Sequence, residues 1–242
     1  MVPALEAAGI AALPVTLPGL GSAPDADVRD FRKAALADRV RARLAREGIS
    51  RFAVVGHDWG ASVGCFLAAA EPESVTALVI EEEILPGVDV EIPAAGRDHY
   101  PQWHGPFNRA PGLAEQLVPG RESAYYGAFL ARSAGPAGLD PEALRSYTSA
   151  YSAPGVLAGA LAHYRTRTED VADVAALTDR PVRTPVLALG GRYAMGTAVA
   201  EGMARLATDV TGLVFDRSGH YPAEQEAADV NRAVVRFLLR HP

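Results

Sequence analysis

One cysteine and one lysine are all that 242 residues contain of either type, and each scarcity closes off a class of function. Cys65 cannot form an internal disulfide, and no spacing of a thiolate metal site occurs, so the default compartment is a reducing, cytoplasmic one. Lys33 stands beside scattered arginines in a chain of net charge -6, which leaves no basic stripe and excludes nucleic acid as an expected partner. Long hydrophobic runs are missing too. Nothing approaches the roughly 20 apolar residues that span a bilayer, and residues 1–12 lack a basic flank followed by an apolar core, so no membrane association is expected. No repeat period is visible. What is present, 49% apolar and 21% charged residues, is ordinary globular composition with room for one core and an inserted subdomain.

The organisation alternates. Gly9 to Leu17 reads as a short strand ending at the turn Pro18-Gly19-Leu20-Gly21, and a helix from Asp27 carries Phe31, Leu36, Val40 and Leu44 on one side until Gly48. Phe52 to Val55 reads as a buried strand broken at Gly56, Ala61 to Ala70 as a small-residue helix, and Val75 to Ile80 as a second buried strand. This β-α-β-α-β order predicts a parallel sheet. Between Pro86 and about Arg180 the alternation fails and most aromatics gather, which predicts a helical insertion. From Pro181 the alternation resumes, with a strand at Pro185 to Leu189, a helix from about Thr197, a strand at Gly212 to Phe215, and an amphipathic helix carrying Val230, Val234, Phe237 and Leu238. The expected domains are a core of residues 1–85 and 181–242 and an insertion of residues 86–180.

Gly56-His57-Asp58-Trp59-Gly60 lies between a strand and a helix, with small residues flanking Asp58. In a nucleophile elbow, such residues allow a strained turn that lifts one side chain into a site. The competing reading is an aspartate that merely caps the next helix. Ser62 lies one turn inside that helix, so the chemistry starts from a carboxylate, which needs no base at neutral pH and can displace at a polarised carbon to leave an alkyl ester. Hydrolysing that ester requires a base. His220, in Ser218-Gly219-His220-Tyr221-Pro222 after the last expected strand, is the candidate, and a carboxylate should orient it. Glu82 ends the strand after the elbow and emerges at the same edge of the sheet, whereas the other acid position reads Gly190-Gly191-Arg192-Tyr193 and offers no carboxylate. Strand alternation predicts that Glu81 and Glu83 face away from Glu82. The competing reading of the three glutamates is a solvated charge cluster.

These motifs, Leu17-Pro18-Gly19-Leu20-Gly21 and Phe52 to Ala61 above all, resemble the epoxide hydrolase branch of the α/β-hydrolase superfamily over nearly all of the chain. The resemblance implies an α/β-hydrolase fold, a mostly parallel sheet with flanking helices and an inserted helical cap. It implies a cofactor-independent enzyme that opens a small hydrophobic epoxide through an Asp58 ester, with His220 and Glu82 activating water. Tyr164, in His163-Tyr164-Arg165, matches one of the family's two cap tyrosines that protonate the epoxide oxygen. The other falls on Trp103-His104-Gly105, where His104 could supply one hydrogen bond and Trp103 would contact the substrate. The Trp59 N–H would stabilise the oxyanion. Because Asp-Trp also occurs in haloalkane dehalogenases, dehalogenation is the second reading, and a binding-only homologue is the third. The family's strand bearing a His-Gly-x-Pro-type loop has no counterpart before residues 1–5. Its absence predicts two facing sheet edges, at Gly9 to Leu17 and at Arg51 to Val55, and with them a tendency to self-associate.

Overall fold

The computed structural model describes residues 1–20 and 28–242. Its elements run α1 (Val2–Ala7), α2 (Lys33–Arg46), β1 (Phe52–His57), α3 (Trp59–Ala70) and β2 (Val75–Glu81). The helices α4 (Ala94–His99), α5 (His104–Arg109), α6 (Leu113–Leu117), α7 (Glu122–Ser133), α8 (Pro141–Tyr151), α9 (Val156–Arg165) and α10 (Arg167–Ala175) follow, and β3 (Val186–Gly191), α11 (Ala198–Met203), β4 (Val210–Phe215), α12 (Pro222–Gln225) and α13 (Ala227–Leu238) complete the chain. The helical stretch therefore interrupts the sheet between β2 and β3. Among the described residues the sheet has the order β1-β2-β3-β4, parallel throughout.

Strand side chains alternate between two cores, as the period of two requires. Leu78 and Ile80 of β2, with Val186 and Ala188 of β3, join Leu36, Val63, Val199 and Met203 on one face. Ala77, Val79, Leu187 and Leu189 meet Leu5, Val230, Val234 and Phe237 on the other. A sheet buried on both faces explains why β2 and β3 read as continuous apolar runs.

Three sequence expectations need correction. Gly9 to Leu17 forms no strand; residues 10–17 run without regular structure, and Leu13 and Val15 lie 40% and 38% exposed. A strand needs ladder partners. None of the described residues pairs with this segment, and Pro14 lacks the donor a ladder would use. The two facing edges expected around a gap therefore reduce to one, the outer edge of β1. The helix expected from Asp27 begins at Lys33, so Phe31 precedes it; Asp27 and Gly21 lie outside the described residues. Helix α3 starts at Trp59 rather than Ala61, because Asp58 caps it.

The insertion is held closely against the core. Gly19 and Gly159 on α9 meet backbone to backbone, and a Cβ at residue 159 would lie 2.3 Å from the Gly19 carbonyl oxygen. Backbone cannot yield as a flexible side chain can. We expect Gly159→Ala to lower the stability of the protein by about 1–3 kcal/mol through overpacking. Gly127→Ala on α7, where the nearest atom is 3.8 Å away, should instead be neutral or stabilising by about 0.5–1 kcal/mol. Thermal unfolding of the two variants beside the parent checks both signs.

Candidate active site

The C-terminal ends of β1 and β2 deliver Asp58 and Glu82, each the first residue past its strand. Both adopt left-handed backbone conformations, with φ of 50° and 54°, uncommon outside glycine. At Asp58 the strain comes from the turn between β1 and α3. Gly56 permits it, since a Cβ there would lie 2.4 Å from the carbonyl oxygen of Gly60. The Asp58 Oδ1 accepts the N–H of Trp59 at 2.6 Å, so the helix-capping reading and the raised-side-chain reading describe the same carboxylate. That N–H is the one backbone donor to the Asp58 carboxylate among the described residues.

His220 joins the two acids. Its Nδ1 donates to Glu82 Oε2 at 2.9 Å and its Nε2 to Asp58 Oδ2 at 2.9 Å. Its own backbone is clamped as well. The His220 N–H donates to the Ser133 carbonyl at the end of α7, and His57 Nε2 donates to the His220 carbonyl at 2.7 Å. Glu82 is fully buried, and its Oε1 accepts the N–H groups of Gly191 and Met195 at 2.6 and 3.2 Å. The β3 loop that lacked a carboxylate thus supplies backbone donors to the carboxylate from β2. It has no space for a side chain of its own at residue 191, where a Cβ would lie 1.9 Å from the Gly219 carbonyl oxygen.

Opposite charges decide the protonation states. Burial alone would raise the Asp58 carboxyl, but the hydrogen bond and charge of His220, with the charge of His57, bring it well below the usual carboxylate range. Burial would lower His220, yet its bonds to Asp58 and Glu82 push it up to about 10. The free site is therefore an ion pair at neutral pH.

The glutamate run is not a solvated cluster, since all three side chains are buried. Glu81 and Glu83 do point away from Glu82, but not by strand alternation, because β2 ends at Glu81 and Glu82 turns left-handed. Glu81 accepts the Ala223 N–H at 2.7 Å, and Ser62 donates to Glu83 at 2.5 Å. Burial and the charge of Asp58 push Glu83 up to about 8.

Above Asp58 lies a cavity of about 660 Å³ whose walls include Trp59, Tyr125, Tyr126, Tyr151, Tyr164 and His220. Val15, Thr16, Leu17 and Val55, beside the outer edge of β1, line it too. Tyr164 sits edge-on to Trp59 at 4.6 Å, and burial drives its phenol well above the ordinary tyrosine range. It keeps its proton.

His104 stands behind Tyr164, with ring centres 5.7 Å apart. Its Nδ1 donates to the Pro101 carbonyl, and burial lowers its pKa. A neutral ring bound in that way presents Nε2 as an acceptor, so the hydrogen bond expected from His104 requires its protonated form. Trp103 is not among the residues lining the cavity; it is 49% exposed and packs edge-on to Phe107 and Tyr125. Sequence reasoning overlooked His57, although it lies within the elbow motif, and gave no role to Tyr100, whose buried ring lies 5.0 Å from that of His220.

A family model described as the alpha/beta hydrolase family matches residues 1–233. The soluble epoxide hydrolase of Corynebacterium sp. (strain C12) is 27% identical over 231 residues, which cover 92% of this chain and 78% of that protein. Among solved structures, Cfl2 from Burkholderia cenocepacia superposes with a TM-score of 0.81 at 29% identity, over 91% of this chain and 76% of that one. The epoxide hydrolase CorEH does so with a TM-score of 0.81 at 26% identity, over 93% of this chain and 80% of that one.

Because the Asp58 charge holds His220 protonated, Asp58→Asn should lower the His220 pKa well below its wild-type value, as histidine NMR titration would show. Stability follows the same linkage. A histidine raised from 6.5 to about 10 on folding stabilises the protein fully below pH 6.5, and that contribution is lost as pH rises through about 10. The melting temperature of the wild type should therefore fall more steeply over that interval than that of Asp58→Asn, and parallel profiles would refute the linkage.

Proposed function

The chain belongs to the α/β-hydrolase family, and from that premise we propose that it opens a small hydrophobic epoxide to a vicinal diol through an ester on Asp58. The observation carrying this reading is the pairing of an elbow carboxylate, 2.9 Å from a histidine, with a protonated phenol on the same cavity. A carboxylate at the elbow favours alkyl-ester chemistry over a serine esterase mechanism.

In the first half-reaction Asp58 Oδ2 attacks a ring carbon while Oδ1 stays on the Trp59 N–H. The carbon–oxygen bond of the epoxide breaks, and Tyr164 gives its phenolic proton to the departing alkoxide. A halide would leave as a stable anion without that proton, so Tyr164 favours the epoxide over a haloalkane. Residues 86–180 act as the cap that brings this phenol and much of the aromatic wall to the core.

Ester formation removes the negative charge on Asp58. His220 then loses the partner that contributes most to its raised pKa, gives up its proton to solvent and becomes the base that the second half-reaction needs. Through Nε2 it takes a proton from water attacking the carbonyl carbon of the ester. Charge developing on the former Oδ1 meets the Trp59 N–H, while Glu82 holds Nδ1 and stabilises the imidazolium. Collapse of the intermediate breaks the ester C–O bond, the proton of the new carboxyl group passes to the departing alkoxide to complete the diol, Asp58 is restored as a carboxylate, and Tyr164 regains from solvent the proton it gave. Its relatives named as epoxide hydrolases support the reading at the level of the reaction class.

Asp58→Asn should abolish turnover in fresh preparations, with intact mass checked for deamidation back to aspartate. His220→Gln should permit one turnover and accumulate an adduct heavier by the mass of the epoxide; steady turnover at the wild-type rate would assign water activation elsewhere. Tyr164→Phe should slow ester formation by roughly 10²–10⁴-fold. Among the three glutamates, Glu82→Gln should slow ester hydrolysis most in pre-steady-state kinetics, and equal effects at Glu81 and Glu83 would remove Glu82 from the mechanism.

A further inference from the structure

The one lysine of the sequence is in the interior. Lys33, at the start of α2, is 2% exposed, and its Nζ donates to the His163 carbonyl at 2.8 Å, Asp170 Oδ2 at 2.9 Å and Thr166 Oγ1 at 3.0 Å. Its backbone N–H donates to the other oxygen of Asp170 at 2.9 Å, and Thr166 donates to Oδ2 at 2.8 Å. Three protons meet three close acceptors, all from the end of α9 and the start of α10. A planar guanidinium cannot point three donors from one atom in this way, which accounts for a lysine in a chain otherwise supplied with arginine.

The ammonium holds the last turn of α9. The ring of His163 stacks on Trp59 at 4.5 Å with an interplanar angle of 10°, and its Nε2 donates to the Pro18 carbonyl at 2.8 Å. The next residue, Tyr164, meets the same indole edge-on. The ammonium itself lies 5.5 Å from the centre of the Trp59 ring, within range of a cation–π attraction. One buried cation thus touches both sides of the wall above the nucleophile, the core side through Trp59 and the inserted side through His163.

We propose that Lys33 is a positioning residue for ring opening, which holds Trp59 and the Tyr164 phenol in register over Asp58. The proposal rests on the reading of Tyr164 as proton donor. Lys33 touches no reacting atom. Its effect should therefore fall on the half-reaction that uses the phenol and spare the one that uses His220, whose oxyanion donor is the backbone N–H of Trp59, set by the elbow turn and not by the indole.

Two variants of the full chain test this. Lys33→Arg keeps the charge and loses the geometry, while Lys33→Met with Asp170→Asn removes both charges together and avoids stranding a buried carboxylate. With styrene oxide as probe, ester formation on Asp58 is followed by mass in a His220→Gln background. Both variants should slow it by about 10–100-fold, the scale expected for a donor displaced by about an ångström. Adding Tyr164→Phe should slow either no further than Tyr164→Phe alone. Ester hydrolysis, measured with His220 intact, should keep its rate. Folded variants that form the ester at the parent rate, lose both half-reactions equally, or combine additively with Tyr164→Phe would overturn the proposal.

A readout without epoxide separates this inference from the function beneath it. In a Trp103→Phe background Trp59 is the remaining tryptophan, and its quenching by acrylamide should rise in both Lys33 variants. Should Tyr164→Phe leave ester formation untouched, the donor assignment fails. Raised quenching would then still support Lys33 as the fixture of Trp59, and unchanged quenching would overturn it as well.

Discussion

The Asp58–His220 ion pair is the interaction on which the remainder of the site depends. Each member is buried or half-buried and would be costly alone. Together, and with Glu82 on the far nitrogen, they compensate one another. The features that look strained, the left-handed backbones at Asp58 and Glu82, are what bring the two carboxylates to opposite nitrogens of one ring. Backbone groups complete most of the arrangement, with Trp59 on Asp58, Gly191 and Met195 on Glu82, and Ser133 on the His220 N–H, while the His57 ring holds the His220 carbonyl. Little of the geometry is left to side-chain rotamers, and preorganisation of this kind is what a charged transition state rewards.

The helical insertion is part of that preorganisation. It reaches the core through polar joints, most of them half-buried: the Ser133 carbonyl on the His220 N–H, the Ser133 hydroxyl on Tyr221, and Gln225 on the carbonyls of Ala134 and Gly138. These join the loop after α7 to the loop that carries His220. Movement of the insertion would pull on the loop that carries His220 unless it hinged elsewhere. The joints around His163 and Asp170 sit at the other end of the insertion, so Asp58 lies between two attachments, and the 660 Å³ cavity occupies the space between them.

How much of this was legible in the sequence varies with range. Asp58 could be read because everything that makes an elbow is local: a strand before, glycines at 56 and 60, a helix after. His220 and Glu82 could be read because they follow strands, and strand ends fall at one edge of a parallel sheet. The reach of Glu82 to His220 depends on two backbone donors more than a hundred residues away, which no local pattern announces. Gly9 to Leu17 was misread because apolar alternation records the potential to be a strand and not the presence of a partner. The pairing of Lys33 with Asp170 leaves no trace in either local sequence; only the rarity of the lysine hinted at a special environment. The motif Trp103-His104-Gly105 marks a neighbourhood and not a direction, so the 49% exposure of Trp103 could not be read from it.

The charge on Asp58 also reaches a group that no motif predicted. Glu83, hydrogen-bonded to Ser62 beneath the elbow, is pushed up to about 8 by burial first and by the Asp58 charge next. His220 is held protonated by the same charge. On the proposed route an ester would neutralise Asp58, and both groups would then move in one direction, towards releasing protons. An ionised Glu83 would return negative charge to the protein just as His220 becomes neutral, one helix turn below the ester. Lys33 attracts that charge, while desolvation opposes it.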